Sequence, residues 1–117
     1  MTTRTAVTQA KRVVVKVGSS SLTLPDGHLD VERISRLAGE LSRLHTSGAR
    51  VVLVTSGAIA AALAPLGLRR RPRDLETQQA AAAVGMGLLI RHYADAFAEH
   101  GVRVAQLLLT VEDVLRP

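Results

Sequence analysis

A lysine near the end of an apolar run, followed closely by a glycine and three serines, is the first feature of this sequence that could do chemistry. Glycine lets a ligand approach the backbone, and successive backbone N–H groups can hold an anion. A lysine in an apolar strand is costly to bury unless an anion accompanies it. The pattern predicts contacts to phosphate oxygens from Lys16, Gly18, Ser19 and Ser20. A lysine that extends from a sheet edge into solvent is the alternative.

A second turn that could bind an anion lies at Thr55-Ser56-Gly57, between another apolar run and a run of alanines. Ser56 offers a hydroxyl group. Gly57 and Ala58 offer backbone N–H groups at the start of a helix, where the partial positive charge favours a carboxylate. Serine is also a favoured N-cap in helices that bind no ligand, so an ordinary cap at Ser56 is an equal alternative.

Both turns follow β-branched runs that are typical of strands buried on both faces of a parallel sheet. Alternation of such strands with helices predicts an α/β fold with right-handed crossovers and a mostly parallel sheet. Ligands bind such sheets at the carboxyl ends of the strands. The predicted elements are strands over Val13–Val17, Val51–Val54 and Val102–Leu109, a helix from Val31 to Leu44 between Asp30 as N-cap and Gly48 as stop, helices over Ala58–Leu66 and Leu75–His100, and the start of a helix after Thr110.

Other residues that could do chemistry have simpler explanations. Gly85-Met86-Gly87 lacks the third glycine and the preceding strand of a dinucleotide-binding motif, so helix packing or an interruption of the helix is expected there. The acid pairs Asp30/Glu32 and Glu112/Asp113 suit the first turns of helices. No P-loop motif occurs, and the four histidines have no metal-ligand spacing, so we expect no protein-bound metal.

Composition is typical of one soluble globular domain. The 117 residues have a net charge of +5, no cysteine and 47% hydrophobic residues, which excludes a disulfide scaffold, thiolate chemistry and intrinsic disorder. The longest apolar runs, Gly57–Leu68 and Ala80–Ile90, fall well short of the roughly 20 residues that span a bilayer. The N-terminus has no apolar region of a secretory signal, so a cytoplasmic location is expected.

The arginines Arg69, Arg70, Arg71 and Arg73 form a basic stretch that could contact nucleic acid or another anionic partner. A non-catalytic binding module built on this stretch is therefore an alternative function. Tyr93 and Phe97 are the only aromatic residues, so no platform for stacking nucleic-acid bases is available. A solvated loop is the favoured interpretation, and nucleic acid is not expected as a partner.

Several blocks of the sequence resemble the amino acid kinase family, and in particular its glutamate-phosphorylating branch. The resemblance implies transfer of the ATP γ-phosphate to the side-chain carboxylate of L-glutamate, the first step of proline biosynthesis, with ATP as co-substrate and Mg²⁺. Lys16 matches the lysine that contacts the ATP phosphates, and Ser56 matches a glutamate-binding residue beside the Gly57 and Ala58 N–H groups. The matching blocks are Val14–Ser20, Val54–Ala61, Leu66–Leu68 with Pro72, Gln79–Gly85, and Gln106–Thr110 with Asp113.

The chain departs from the family pattern at two positions and in length. Ala62 and Met86 stand where the family usually has glycine and glutamine, and the second change puts the role of that glutamine in question. Family kinase domains are considerably longer, with helices on both sides of the sheet. Residues 1–117 are therefore expected to be the N-terminal, amino-acid-binding part, without the nucleotide-binding half or a PUA domain. Such a shortened chain is expected to be inactive alone and to form a homo-oligomer when full length.

Overall fold

The computed structural model describes residues 11–107 and 111–115, which form a parallel two-stranded sheet with helices. Val17 pairs with Thr55 at the last position of the sheet register, so the two predicted site turns leave the sheet at the same edge. The predicted α/β fold with a parallel sheet is confirmed. In chain order the elements are β1 (Arg12–Val17), α1 (Ser19–Leu22), α2 (Val31–Thr46), β2 (Arg50–Thr55), α3 (Ala58–Leu63), α4 (Leu75–Ala98) and α5 (Val111–Leu115).

The strands are covered on one face, which corrects the prediction that both faces would be buried. Val15 and Leu53 pack against the helical core, whereas Val14 on the opposite face is 69% exposed. Half-buried and exposed residues alternate along both strands, because successive side chains point to opposite faces and the described helices cover only one of them. The exposed face carries Arg12, Val14, Lys16, Arg50, Val52 and Val54.

Helix α2 lies where its apolar periodicity predicted it. The Asp30 carboxylate is the N-cap and accepts a hydrogen bond from the Arg33 backbone N–H at 3.2 Å. Gly48 follows the helix with a φ of 108°, in the left-handed region that favours glycine. Ile34 and Leu41 are buried in the core. Fully burying such a side chain contributes about 1.5–3 kcal/mol, so the apolar stripe favours packing of α2 on the core.

Helix α4 is continuous from Leu75 to Ala98, which is contrary to the interruption considered near Gly85. The Asp74 carboxylate is its N-cap, and hydrogen bonds from the Thr77 side chain and backbone lower the pKa of that carboxyl group. Tyr93 and Phe97 lie four residues apart on one face of α4, and their rings stack with centroids 6.5 Å apart. Although α4 has 24 residues, neither it nor any other helix of the described residues is long and apolar enough to cross a membrane.

Gly85 explains why α3 and α4 can pack so closely. A Cβ atom at Gly85 would lie 1.5 Å from the Ala58 carbonyl oxygen and 3.2 Å from the Ala62 Cβ. The helix-packing role predicted for this glycine is therefore confirmed. Helix α3 ends at Leu63, one turn earlier than predicted, and the chain then turns toward Gly67.

The third strand predicted over Val102–Leu109 is not formed in residues 102–107, the part of it that the structure describes. Val102 packs against the core, and its N–H donates to the Phe97 carbonyl at 3.1 Å. Residues 102–107 pair with neither β1 nor β2, so their backbone groups are not part of the sheet. Leu108, Leu109 and the predicted N-cap Thr110 lie outside the described residues. The final helix, α5, begins with acidic residues in its first turn, as predicted.

Candidate functional site

The two predicted anion-binding turns are in direct contact. The Ser19 hydroxyl donates a hydrogen bond to the Ser56 hydroxyl oxygen, with the two Oγ atoms 3.0 Å apart. The Ser56 N–H donates to the Val17 carbonyl at 3.3 Å, which extends the sheet pairing into the turns. Because parallel strands end at the same edge of a sheet, β1 and β2 deliver both turns to one place.

The segment that follows Gly18 is a one-turn helix, α1, and not the turn that its small residues predicted. Gly18 is the N-cap, and its carbonyl accepts a hydrogen bond from the Ser21 N–H at 3.1 Å. Leu22 is 1% exposed, and its burial in the core draws the segment into helical form. The first N–H groups of a helix have no carbonyl partner within it, so those of Ser19 and Ser20 make no hydrogen bond inside α1.

The backbone at Gly18 does not itself require glycine. Its φ of −81° and ψ of 164° are extended values that any residue adopts. A Cβ atom at Gly18 would meet no other atom within 4 Å. Open space therefore lies beside the backbone where α1 begins, which suits the close approach of a ligand.

Lys16 is exposed on the uncovered face of the sheet, opposite Val54 in the sheet register. The exposure of Lys16 follows from the single covered face of β1, since Lys16 lies on the other face. No carboxylate of the described residues forms an ion pair with Lys16. Lys16 is a candidate phosphate ligand because it lies two residues before Gly18, and not because it is buried.

Ser56 is not the N-cap of α3, so the alternative of an ordinary serine cap is wrong. Gly57 occupies the cap position with a φ of 110°, a left-handed conformation that strains other residues. The Ser56 hydroxyl instead accepts from Ser19 and donates to the Val17 carbonyl at 3.4 Å. Such a long hydrogen bond is weak, so this hydroxyl hydrogen can turn to a bound carboxylate at little cost. The Ala58 N–H lies in the first turn of α3, where helical partners are absent.

Two further contacts to the site were not predicted from the sequence. The Tyr93 Oη lies 2.7 Å from the Thr55 Oγ1, immediately before Ser56. The Arg33 guanidinium donates to the Ser21 carbonyl at 3.2 Å and so ties α2 to α1. Helical periodicity placed Tyr93 on an apolar face, but no local pattern indicates which strand end that face meets.

The remaining candidate residues lie apart from this site. The arginines of the Arg69–Arg73 stretch are all exposed, in the loop that leaves the end of α3 opposite to Ser56. Their exposure agrees with the interpretation of this stretch as a solvated loop. Among the described residues, no group of three histidine or acidic side chains is placed to hold a metal ion.

The model of the amino acid kinase family matches residues 11–116, which is nearly the whole length. The chain belongs to the amino acid kinase family. The matched range contains β1, β2 and every residue of the candidate site, so the resemblance inferred from the sequence blocks is confirmed.

Curated members of the amino acid kinase family that resemble this chain include several named glutamate 5-kinase. The chain is 63% identical over 113 residues to the glutamate 5-kinase of Salinispora arenicola. It is 59% identical over 114 residues to that of Thermobifida fusca and 58% identical over 113 residues to that of Streptomyces coelicolor. Each alignment covers 97% of this chain but only 29% to 31% of the relative. The chain thus spans less than a third of the length of these relatives.

Proposed function

We propose that these residues form the amino-acid-binding part of a glutamate 5-kinase, which transfers the γ-phosphate of ATP to the side-chain carboxylate of L-glutamate. The observation that carries the proposal is the 3.0 Å contact between the Ser19 and Ser56 hydroxyl oxygens. Phosphoryl transfer requires the phosphate and its acceptor to meet in line, and catalysis depends mainly on positioning and charge neutralisation. The relatives named glutamate 5-kinase support the choice of substrates.

On the phosphate side, Lys16 supplies a fixed positive charge, and Gly18, Ser19 and Ser20 receive the phosphate oxygens. A glutamate carboxylate oxygen attacks the γ-phosphorus, the bond from that phosphorus to the bridging oxygen breaks, and ADP leaves with the electron pair. The acceptor needs no general base, because a carboxylate is already deprotonated near pH 7. Lys16 lowers the barrier by neutralising the charge on the transferring group.

On the acceptor side, Ser56 donates its hydroxyl hydrogen to the glutamate, and the Gly57 and Ala58 N–H groups add two donors. The positive end of the α3 dipole favours the negative charge of the substrate. Gly57 is buried beneath Leu29, so the donors are held by the core of the protein. This arrangement favours a small anionic substrate over a polymeric one.

The donors of this site are hydroxyl groups, N–H groups and one ammonium group, and they include no carboxylate. They do not suit Mg²⁺, which prefers oxygen ligands such as carboxylates and phosphates. Mg²⁺ therefore enters the proposal only as the ion that accompanies ATP. We also propose that the nucleotide-binding half lies outside these 117 residues, that the full-length protein is a homo-oligomer and that it is cytoplasmic.

The experiment that tests the proposal is glutamate-dependent release of ADP by the full-length protein and its Ser56→Ala variant. A hydrogen bond to a charged group contributes about 1.5–3 kcal/mol, so we expect the glutamate KM to rise at least tenfold while the ATP KM stays near the wild-type value. Alanine replacement of Arg69, Arg70 and Arg71 is the control, since these side chains lie away from the site. No ADP release by the wild-type protein, or an unchanged glutamate KM in Ser56→Ala, would contradict the proposal.

Gly18→Ala separates a ligand-binding role of this glycine from a structural one. Because its backbone is extended and a Cβ atom has open space, we expect the free energy of unfolding to change by less than about 0.5 kcal/mol. The added methyl group would occupy the space assigned to the phosphates, so the ATP KM should rise with little change in the glutamate KM. Urea unfolding and steady-state kinetics check the two parts. A wild-type ATP KM would remove Gly18 from the phosphate site.

A further inference from the structure

Tyr93 lies in the apolar core, but its hydroxyl group ends beside the substrate site. The side chain is 3% exposed and belongs to the main hydrophobic cluster. Its Oη is 2.7 Å from the Oγ1 of Thr55, the last residue of β2. A buried hydroxyl must be hydrogen-bonded to avoid a desolvation penalty, and here the bond goes to the residue that immediately precedes Ser56.

The directions of the hydrogen bonds follow from counting hydrogen atoms. The Thr55 hydroxyl donates to the Ser56 carbonyl oxygen at 3.0 Å. A hydroxyl group has one hydrogen, so Thr55 accepts in its contact with Tyr93, and the tyrosine is the donor. Burial raises the pKa of Tyr93, which keeps the phenol protonated at neutral pH. The chain of bonds therefore runs from Tyr93 through Thr55 to the Ser56 carbonyl.

This chain of hydrogen bonds ends at the Ser56–Gly57 peptide group. The N–H of that peptide, on Gly57, is one of the donors proposed to bind glutamate. The Ser56 carbonyl and the Gly57 N–H belong to one planar peptide group, and in the trans form they point in opposite directions. Holding the carbonyl toward Thr55 therefore fixes the direction of the Gly57 N–H. The left-handed φ of Gly57 depends on the same peptide orientation.

We propose that Tyr93 is a positioning residue for the amino-acid substrate, which acts through Thr55 to orient the Ser56–Gly57 peptide. This inference rests on the proposed function. Tyr93 does not contact glutamate, and its effect is confined to the turn after β2. The phosphate turn follows β1, so binding of ATP should not depend on this hydroxyl group.

The test is the Tyr93→Phe variant of the full-length protein, which loses the hydroxyl group and keeps the ring. One net hydrogen bond is worth about 0.5–1.5 kcal/mol, so we expect the glutamate KM to rise about three- to tenfold, with kcat and the ATP KM within twofold of wild type. Thr55→Val should raise the glutamate KM to a similar degree. Thr55→Ser retains a hydroxyl group and should have a glutamate KM near the wild-type value.

Phe97→Leu is the matched control for packing, because Phe97 is buried and stacks on Tyr93 but has no hydroxyl group. It should lower the free energy of unfolding and leave the glutamate KM unchanged. An unchanged glutamate KM in Tyr93→Phe, or equal rises in the KM values for glutamate and ATP, would overturn the positioning role while the proposed function stands. Wild-type protein without glutamate-dependent ADP release would overturn both.

Discussion

Lys16→Ala in the full-length protein is expected to lower kcat about 10²- to 10³-fold, the usual effect of losing one preorganised group that stabilises transition-state charge. This corresponds to about 2.7–4 kcal/mol of barrier. The reason is that the transferring phosphoryl group spreads negative charge over its oxygens, and Lys16 is the cationic residue at the carboxyl end of β1. Steady-state ADP release at saturating glutamate and ATP measures the change.

Lys11→Ala is the matched control for this experiment. Lys11 is the other lysine of the chain and immediately precedes β1. Five residues of strand place it roughly 17 Å from Lys16, at the amino end of the sheet. Its replacement removes the same charge from the same protein and should leave kcat near the wild-type value. Equal activity of the two variants would remove Lys16 from the mechanism.

Gly85→Ala is expected to lower both the stability of the protein and its affinity for glutamate. The new Cβ atom would lie 1.5 Å from the Ala58 carbonyl oxygen and 2.5 Å from its carbonyl carbon, so backbone must move. Overpacking of this kind costs about 1–3 kcal/mol, which exceeds the helix-propensity gain of alanine over glycine. Ala58 begins α3, and its N–H is one of the donors proposed to bind glutamate. Displacement of the Ala58 backbone should therefore also raise the glutamate KM.

Gly87→Ala is the matched control, two residues further along the same helix. A Cβ atom at Gly87 would meet nothing within 4 Å, so the substitution should stabilise α4 by about 0.5–1 kcal/mol. Urea unfolding of the two variants and of the wild-type protein gives the comparison directly. Equal free energies of unfolding for Gly85→Ala and Gly87→Ala would contradict the close packing of α3 on α4.

Local signals in the amino-acid sequence were sufficient for the elements that deliver the site. The N-cap Asp30, the stop at Gly48 and the apolar stripe between them specify α2, because these preferences act within a few residues of one another. The β-branched runs specify β1 and β2, and the glycines that follow mark where both strands end. Parallel pairing then brings the two turns to one edge of the sheet, so the neighbouring turns of the candidate site could be named in advance.

Features that depend on contacts between distant segments could not be predicted from these local sequence signals. The face on which β1 is exposed, and with it the environment of Lys16, depends on which side the helices cover. The helical form of α1 depends on burial of Leu22 in a core that other segments build. The part of the predicted third strand that the structure describes, residues 102–107, is not a strand, because strand formation also requires that the fold brings a sheet edge alongside.

The close contacts that organise the site arise from packing of whole elements. Gly85 meets Ala58, and Tyr93 meets Thr55, only because α4 lies across the start of α3 and the end of β2. The Ser19–Ser56 contact likewise replaces the local N-cap that serine residues favour. Residue type and spacing thus established which groups reach the sheet edge. Their directions and partners came from long-range packing, because hydrogen bonds and steric contacts depend on distances in space rather than along the chain.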